Sequence, residues 1–279
     1  MILITGASGF VGSELVKELV KRKKRVRCLL RKKKDINTEV VYGDLRDKKS
    51  IEDAVKGVDT VIHLGALILG SKEELIDVNI KGTKNLVNSV DKNTKFIFIS
   101  SIYAGIENSA YGYTKRKGEE AVKAKLNNWV ILRPSLIYGK NDFFITRIIR
   151  ARVMPVIGNG RYKNQPVYIK DVVNAIIKVL EKDVKNKTYN IAGPHALSYN
   201  KMLDIISEEF KIRFLRIHIP FTLINFITKI YKTMFRNTKL PLEQIQNITN
   251  DKTADINMAA KDIGYSPISF RQGIRLMGE

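Results

Sequence analysis

Along the first 134 residues, short apolar runs alternate with stretches whose apolar positions recur every three or four residues. The runs Ile2–Thr5, Arg25–Leu30, Glu39–Tyr42, Thr60–His63, Phe96–Ile99 and Trp129–Arg133 have the length and composition of strands. Between them, Phe10–Lys21, Lys48–Lys56, Glu73–Val90 and Ala110–Leu126 carry a helical period. Phe10, Val11, Leu15, Leu19 and Val20 give the first helix one apolar face. Short strands separated by helices imply βαβ units, and therefore a parallel sheet. Right-handed crossovers wind such a sheet in both directions and leave a ligand at the carboxyl ends of its strands. The fold class this predicts is α/β, with a doubly wound parallel sheet.

After Pro134 the pattern changes. Gly, Pro and Asn punctuate 138–166, a strand–helix unit follows at Val167–Leu180, and a strand at Thr188–Ile191. From Gly193 onward short helical patterns surround one strand, Ile212–Ile217. Residues 1–134 plus 167–192 thus read as a nucleotide-binding domain, and 135–166 plus 193–279 as a smaller substrate-binding lobe.

Composition narrows the setting. Of 279 residues, 44% are hydrophobic, an ordinary share for a globular chain. Met1 runs straight into Ile2-Leu3-Ile4, and no apolar run nears the ~20 residues that cross a bilayer, so neither a signal peptide nor an integral membrane segment is expected. The single cysteine, Cys28, lies in a strand pattern and reads as packing; a cytoplasmic location is expected. The formal net charge is +21, yet the densest run, Lys21 to Lys34, has no interleaved aromatics and no nucleic-acid motif. It reads as a solvated face rather than a nucleic-acid site. Three histidines and no clustered cysteines give no metal site.

The candidate chemistry begins at the first strand–helix turn, Thr5-Gly6-Ala7-Ser8-Gly9-Phe10-Val11-Gly12. Gly6 permits the tight turn, Gly9 lets backbone approach a pyrophosphate, and Gly12 lets helix pack on strand. The anion then sits on the helix amino terminus, in the Rossmann manner. Ser8, Phe10 and Val11 belong to the same binding turn. At the end of the second strand an acidic residue would suit the 2′-hydroxyl of NAD; Arg31 and Lys32 stand there instead and suit the 2′-phosphate of NADP. NADP is therefore preferred over NAD. After the third strand, Asp44 can accept from an adenine amino group with Leu45 against the ring, or else cap the next helix. Leu64, Gly65 and Ala66, after the fourth strand, would pass under the pyrophosphate and ribose, with His63 a packed strand-end residue.

The fifth strand ends at Ile99, also placed against the cofactor, and is followed by Ser100-Ser101. The next helix carries Tyr111-Gly112-Tyr113-Thr114-Lys115. Tyr111 and Lys115, four apart, share one helix face. Lowering a phenol from ~10 to ~7 takes roughly 4 kcal/mol. A cation at ~4 Å supplies about that at an effective dielectric of ~20. Tyr111 would exchange a proton with a substrate hydroxyl or ketone, Ser101 would hydrogen-bond the reacting oxygen, and Lys115 would also hold the nicotinamide ribose. Tyr113 with Lys117 repeats the same spacing, but Tyr111 opens the helix that runs on through Glu119-Glu120 and is preferred.

These residues resemble the short-chain dehydrogenase/reductase superfamily, in its extended and atypical branch of epimerases, dehydratases and reductases. The resemblance covers most of the chain. Beside the glycine loop and Tyr111/Lys115 it rests on Gly43-Asp44-Leu45-Arg46-Asp47, Asp77-Val78-Asn79, Arg133-Pro134-Ser135, the run from Pro166 to Val172, and Tyr189-Asn190-Ile191-Ala192-Gly193. It implies that Asn79 helps order the lysine and a water, that Pro134 and Ser135 lie near the nicotinamide, and that two copies pair through the helices at Glu73–Val90 and Ala110–Leu126. There are departures. Ser101 and Tyr111 are ten residues apart, where sugar-nucleotide epimerases carry an insertion, and Asn164 and Gln165 stand where those enzymes place an Arg. Both argue against a UDP- or dTDP-sugar. The late segments Asn250-Asp251 and Gly264-Tyr265-Ser266-Pro267 are similar to the branch related to the dehydrogenase-like accessory subunit of respiratory complex I.

Two readings follow: an NAD(P)-dependent oxidoreductase, epimerase or dehydratase acting on a small-molecule substrate, or a non-catalytic NADP-binding module for assembly or redox sensing. The intact Ser101/Tyr111/Lys115 set favours the enzyme. Leu215 to Phe235 adds a basic amphipathic pattern, with Lys229, Lys232 and Arg236 late in it. Such a helix makes weak peripheral contact with a membrane, covers a greasy substrate, or packs within the lobe.

Overall fold

The computed structural model describes residues 1–34, 36–106, 109–140, 142–224 and 250–278. The amphipathic pattern expected up to Phe235 therefore falls largely outside the described residues. Seven strands form one parallel sheet: β1 (Ile2–Thr5), β2 (Val26–Leu30), β3 (Glu39–Tyr42), β4 (Thr60–His63), β5 (Lys95–Ile99), β6 (Trp129–Pro134) and, numbered in chain order, β11 (Lys187–Ile191). Their spatial order is β11-β6-β5-β4-β1-β2-β3, so the direction of winding reverses between β1 and β4. That reversal is where ligands bind in open α/β sheets.

The register puts Leu3 beside Val61 and Val61 beside Phe96 on one face, and Ile4, Ile62 and Ile97 on the other. Helices α2 (Lys48–Val55), α4 (Gly82–Asn88) and α5 (Ala110–Lys125) cover the first face: Ile51, Ala54, Leu86, Val87 and Val122 join Leu3, Phe96, Phe98 and Ile131 in one core. Helices α1 (Phe10–Lys21) and α7 (Ile169–Glu181) contact each other and supply the buried Leu15, Leu19, Val172 and Ile176. A sheet covered on both faces needs the near-continuous apolar strands this sequence has.

The helix expected over Glu73–Val90 is instead three pieces. Helix α3 (Lys72–Leu75) starts from a capping box between Ser71 and Glu74, a π-helical turn occupies Ile76–Lys81, and α4 follows. The widened turn contains Asn79, whose side chain is bonded to neighbouring elements, as described below.

Two compact units divide the chain. Unit 1 comprises 1–134, 169–191 and 256–265; unit 2 comprises 135–168, 192–255 and 266–279. Residues 256–265 thus depart from the expectation that everything past 193 belongs to the lobe. Their helix α9 (Asn257–Ile263) is tied into unit 1: Tyr189 donates to Asp262 at 3.0 Å, and the Lys182 and Lys178 ammonium groups donate to the carbonyls of Asp262 and Gly264. Unit 2 holds the short pair β7 (Ile137–Tyr138) with β10 (Val167–Tyr168), the pair β9 (Lys163–Asn164) with β12 (Leu197–Ser198), and the pair β8 (Val153–Ile157) with β13 (Leu215–Ile219). Its helices are α6 (Phe143–Arg150), α8 (Tyr199–Glu209) and α10 (Phe270–Gly278). Strand β13 begins three residues later than the apolar pattern suggests. Among the described residues no helix is long and apolar enough to cross a membrane.

Candidate functional site

The glycine loop joins β1 to α1 at the point where the sheet reverses. Gly6 has φ +72°, and a Cβ there would lie 2.6 Å from the Gly65 amide nitrogen. A Cβ on Gly12 would strike the Gly6 carbonyl. These two positions exclude side chains because strand, loop and helix backbones touch. Gly9 is the N-cap of α1, with no side-chain cap and no acidic residue in the first turn. The leading amide groups of a twelve-residue helix are therefore left for an anion, which the helix dipole also favours. Ser8 beside them is exposed, and Phe10 and Val11 are half-buried. The cradle fits a pyrophosphate.

Arg31 and Lys32 are exposed just past β2, and the Lys34 ammonium donates to the Ser8 carbonyl at 3.3 Å. Asp44 is held by Arg46 through two side-chain bonds of 2.9 and 2.8 Å and one from the Arg46 backbone. That pairing holds the Asp44 carboxyl below the usual range, and Arg31 adds to the effect. Asp44 does not cap α2; Asp47 does, accepting from the Lys49 amide. Leu45 is buried in the core, with its side chain beside Gly65.

His63 is fully buried and links the loop to the helices. Its Nδ1 lies 2.6 Å from the Thr5 hydroxyl and its Nε2 2.9 Å from the Thr83 hydroxyl. Thr83 donates to the Asn79 carbonyl at 2.6 Å, so it accepts from Nε2–H; Nδ1 then accepts from Thr5, which itself accepts from the Gly65 amide at 3.2 Å. Burial, aided by Lys115, pushes the imidazole down to about 3, so the ring is neutral and the relay keeps one direction. It runs from Gly65, the middle of Leu64-Gly65-Ala66, to the π-helical turn. The Asn79 side chain accepts from Leu67 N–H at 2.7 Å and donates to the Leu67 carbonyl at 2.8 Å and to Thr114 at 3.0 Å. It therefore holds the loop after β4 and the residue next to Lys115, not Lys115 itself.

Helix α5 is capped by Ser109, which accepts from the Gly112 amide. A Cβ on Gly112 would run into the Tyr103 carbonyl, so the helix seats tightly on the turn after β5. On its inner face Lys115 is 2% exposed, with Nζ 4.4 Å from the centre of the Phe98 ring. Tyr111 lies one turn earlier, edge-on to Tyr103 at 6.4 Å between ring centres. Tyr113 is 41% exposed and Lys117 pairs with Glu120 at 2.7 Å, so the second Tyr-x-x-x-Lys is a solvent-side pair.

The electrostatics differ from the expectation. Burial pushes the Lys115 ammonium down to about 7, with Glu119 opposing, and burial with Tyr103 pushes the Tyr111 phenol up to about 12. Lys115 is not among the groups that shift Tyr111, whose direction burial and Tyr103 set. Ser101 is buried and accepts from the Tyr103 amide at 3.2 Å, keeping its hydroxyl hydrogen to donate. Ile99 ends β5 beside it.

One cluster was missed from sequence. Glu119, 3% exposed, takes both arms of Arg133 at 2.8 and 2.6 Å and the Ser100 hydroxyl at 2.5 Å. It lies one turn past Lys115, so a buried ion pair braces the strand end and the inner face of α5. Its sequence signal was an acidic residue four positions after the lysine, opposite an Arg at the end of the next strand. Pro134 closes β6, and the Ser135 hydroxyl is engaged by the Gln165 carbonyl. Among the described residues no group of three metal-ligating side chains exists.

This geometry can be set beside known proteins. The chain is 30% identical to a putative UDP-glucose 4-epimerase of Methanocaldococcus jannaschii, over 76% of its own length and 83% of the relative's. It is 25% identical to NADH dehydrogenase [ubiquinone] 1 alpha subcomplex subunit 9 of Dictyostelium discoideum, over 96% and 81%. Its fold matches the UDP-glucuronic acid 4-epimerase of Bacillus cereus, solved with UDP-glucuronic acid and NAD, with TM-score 0.78 at 20% identity over 98% and 96% of the two chains. The family model for the NAD dependent epimerase/dehydratase family matches residues 2–192, the whole of the sheet and its glycine loop, and the chain belongs to this family of enzymes.

Proposed function

We propose that this chain is an NAD(P)-dependent enzyme that interconverts a hydroxyl and a ketone carbon at a site built by Tyr111, Lys115 and Ser101, as an oxidoreductase or as the oxidising half of an epimerase or dehydratase. One observation carries this: α5 buries an ammonium-bearing side chain at 2% exposure on the face that presents Tyr111, while the alternative pair Tyr113/Lys117 is left to solvent. Burying a lysine costs several kcal/mol and gives no packing that a methionine would not give. Unit 1 carries the nucleotide, and unit 2 has the substrate-binding role.

The α1 amino terminus and the Gly6–Gly12 turn hold the pyrophosphate, Arg31 with Lys32 meets a 2′-phosphate, and Asp44 faces the adenine. That assignment makes NADP the preferred dinucleotide. The dinucleotide, when bound, supplies the two-electron acceptor or donor. Tyr111 holds the proton that leaves or returns to the substrate oxygen, and Ser101 donates to the same oxygen. Lys115, once protonated, is the positive neighbour that a phenol at about 12 needs before it can serve as a base near neutrality.

A second reading has one observation in its favour. With Tyr111 raised and Lys115 lowered, the pair as it stands is not an activated base, and a non-catalytic nucleotide-binding module would need none. One experiment separates the two. NADP and NAD titrations and turnover on a panel of alcohols and ketones are measured for wild type and Tyr111→Phe. The enzyme predicts equal nucleotide affinity and a turnover loss of about 10²–10⁴-fold. Equal binding with no turnover by either protein means the module.

A further inference from the structure

In unit 2 the β8–β13 pair breaks the usual alternation of a sheet with one wet face. The strands are parallel, with Val153 opposite Leu215, Pro155 opposite Ile217 and Ile157 opposite Ile219. On β8 the alternate neighbours Met154 and Val156 are buried, while opposite them on β13 Arg216 is half-buried and His218 exposed; the six residues named share the other face, and every one is apolar. Leu215 is 64% exposed, Ile217 48% and Val153 47%. Parallel strands are normally covered on both faces, and a contiguous outward apolar patch marks an interaction surface.

Parallel pairing also brings both strand starts to one end of the patch. Arg150 and Arg152 precede β8; Lys211 and Arg213 precede β13. All four are exposed. None has an ion-pair partner among the described residues, whereas the nearby Glu208 and Glu209 are taken by Arg271 and Arg275. The result is a wedge of aliphatic side chains with a cationic rim at one end.

We propose that this face docks unit 2 on an anionic lipid surface, Leu215, Ile217 and Val153 entering the headgroup boundary while Arg150, Arg152, Lys211 and Arg213 meet phosphates. Exposed aliphatic side chains with exposed cations at one end of them are what interfacial binding requires. The charge excludes a basic partner, and the outward face offers no polar groups with which to read a specific protein or nucleic-acid sequence. The surface stands independently of the nucleotide site.

The test is co-sedimentation of the full chain with vesicles of phosphatidylcholine alone and of phosphatidylcholine with about a third phosphatidylglycerol. The protein pellets with the anionic vesicles, little with the neutral ones, and is released by about 1 M salt. Leu215→Ser with Ile217→Ser lowers the apparent affinity at least about tenfold. Arg152→Glu with Arg213→Glu lowers it about thirtyfold or more. All four residues are on the surface, so far-UV circular dichroism stays unchanged; if either double variant unfolds, the lipid and salt dependence of wild type decides. Equal pelleting with both vesicle types, or binding untouched by both variants, overturns the proposal. So does a wild-type dimer in sedimentation velocity that the Leu215/Ile217 variant dissociates while vesicles pellet neither, which would make the face a self-interface. Binding to duplex DNA that the Arg152/Arg213 variant loses, without vesicle binding, overturns it in favour of nucleic acid.

Discussion

Replacing Lys115 with methionine should stabilise the ligand-free protein, and by an amount that depends on pH in a defined way. The side chains are similar in length, so packing against Phe98 is kept while the ammonium is removed. In the unfolded chain Lys115 titrates near 10.5; in the folded protein burial brings it down to about 7. Between these values the unfolded state binds more protons, so the lysine penalises folding. The penalty is full below pH 7, shrinks as the pH rises above it, and vanishes beyond 10.5. At 1.36 kcal/mol per unit it amounts to roughly 5 kcal/mol at pH 6 and roughly 2 kcal/mol at pH 9. The methionine variant should therefore be more stable than wild type at both pH values, with an advantage about 3 kcal/mol larger at pH 6. Urea unfolding of both proteins at the two pH values measures this, and taking the difference between them cancels His63 and every surface group. An advantage that is the same at pH 6 and pH 9 would refute the claim that Lys115 is buried as a reluctant cation. If the variant also keeps turnover, the lysine has no catalytic use.

Two other perturbations test the surrounding parts. His63→Ala takes away the acceptor of the Thr5 hydroxyl and the ring donor to Thr83, although Thr5 keeps the Gly65 amide and Thr83 the Asn79 carbonyl, so it should cost about 2–4 kcal/mol in chemical unfolding, and wild-type His63 should show no imidazole titration between pH 5 and 8 by NMR. Arg31→Glu should weaken NADP binding by about 1.5–3 kcal/mol, roughly ten- to hundredfold, while NAD affinity holds or improves; calorimetric titration of both nucleotides checks it, and an unchanged ratio would remove Arg31 from cofactor choice.

Much of unit 1 was legible because its signals are local. Strands β1, β3 and β4 and helix α1 follow from runs and periods within a dozen residues, and the glycine spacing encodes a contact between adjoining elements. What was not legible depended on other parts of the chain. A π-helical turn at Ile76–Lys81 has no period that a 3.6-residue pattern can express, and the Asn79 within it bonds to Leu67 and Thr114, distant in sequence. Strand β13 slipped because Phe214 and Leu215 are both apolar, so two phases of alternation fit. The sign of the Tyr111 shift was read from a neighbour four residues away, while the structure sets it by burial, which no local spacing reports. Glu119 was passed over as a helix-face charge because its partners lie far away in sequence, Arg133 on β6 and Ser100 just past β5.

The return of residues 256–265 to unit 1 has a bearing on how the chain is made. Ala259, Ile263 and Tyr265 are buried in a unit whose last sheet strand ended at Ile191, so the growing polypeptide must be extended by more than sixty residues before that apolar site on β11 and α7 is closed. At ordinary ribosomal speeds this is a wait of roughly 3–15 s. A nascent chain halted before Asn257 would carry an open greasy flank on an otherwise finished sheet, the kind of surface that chaperones hold and that truncated fragments aggregate through.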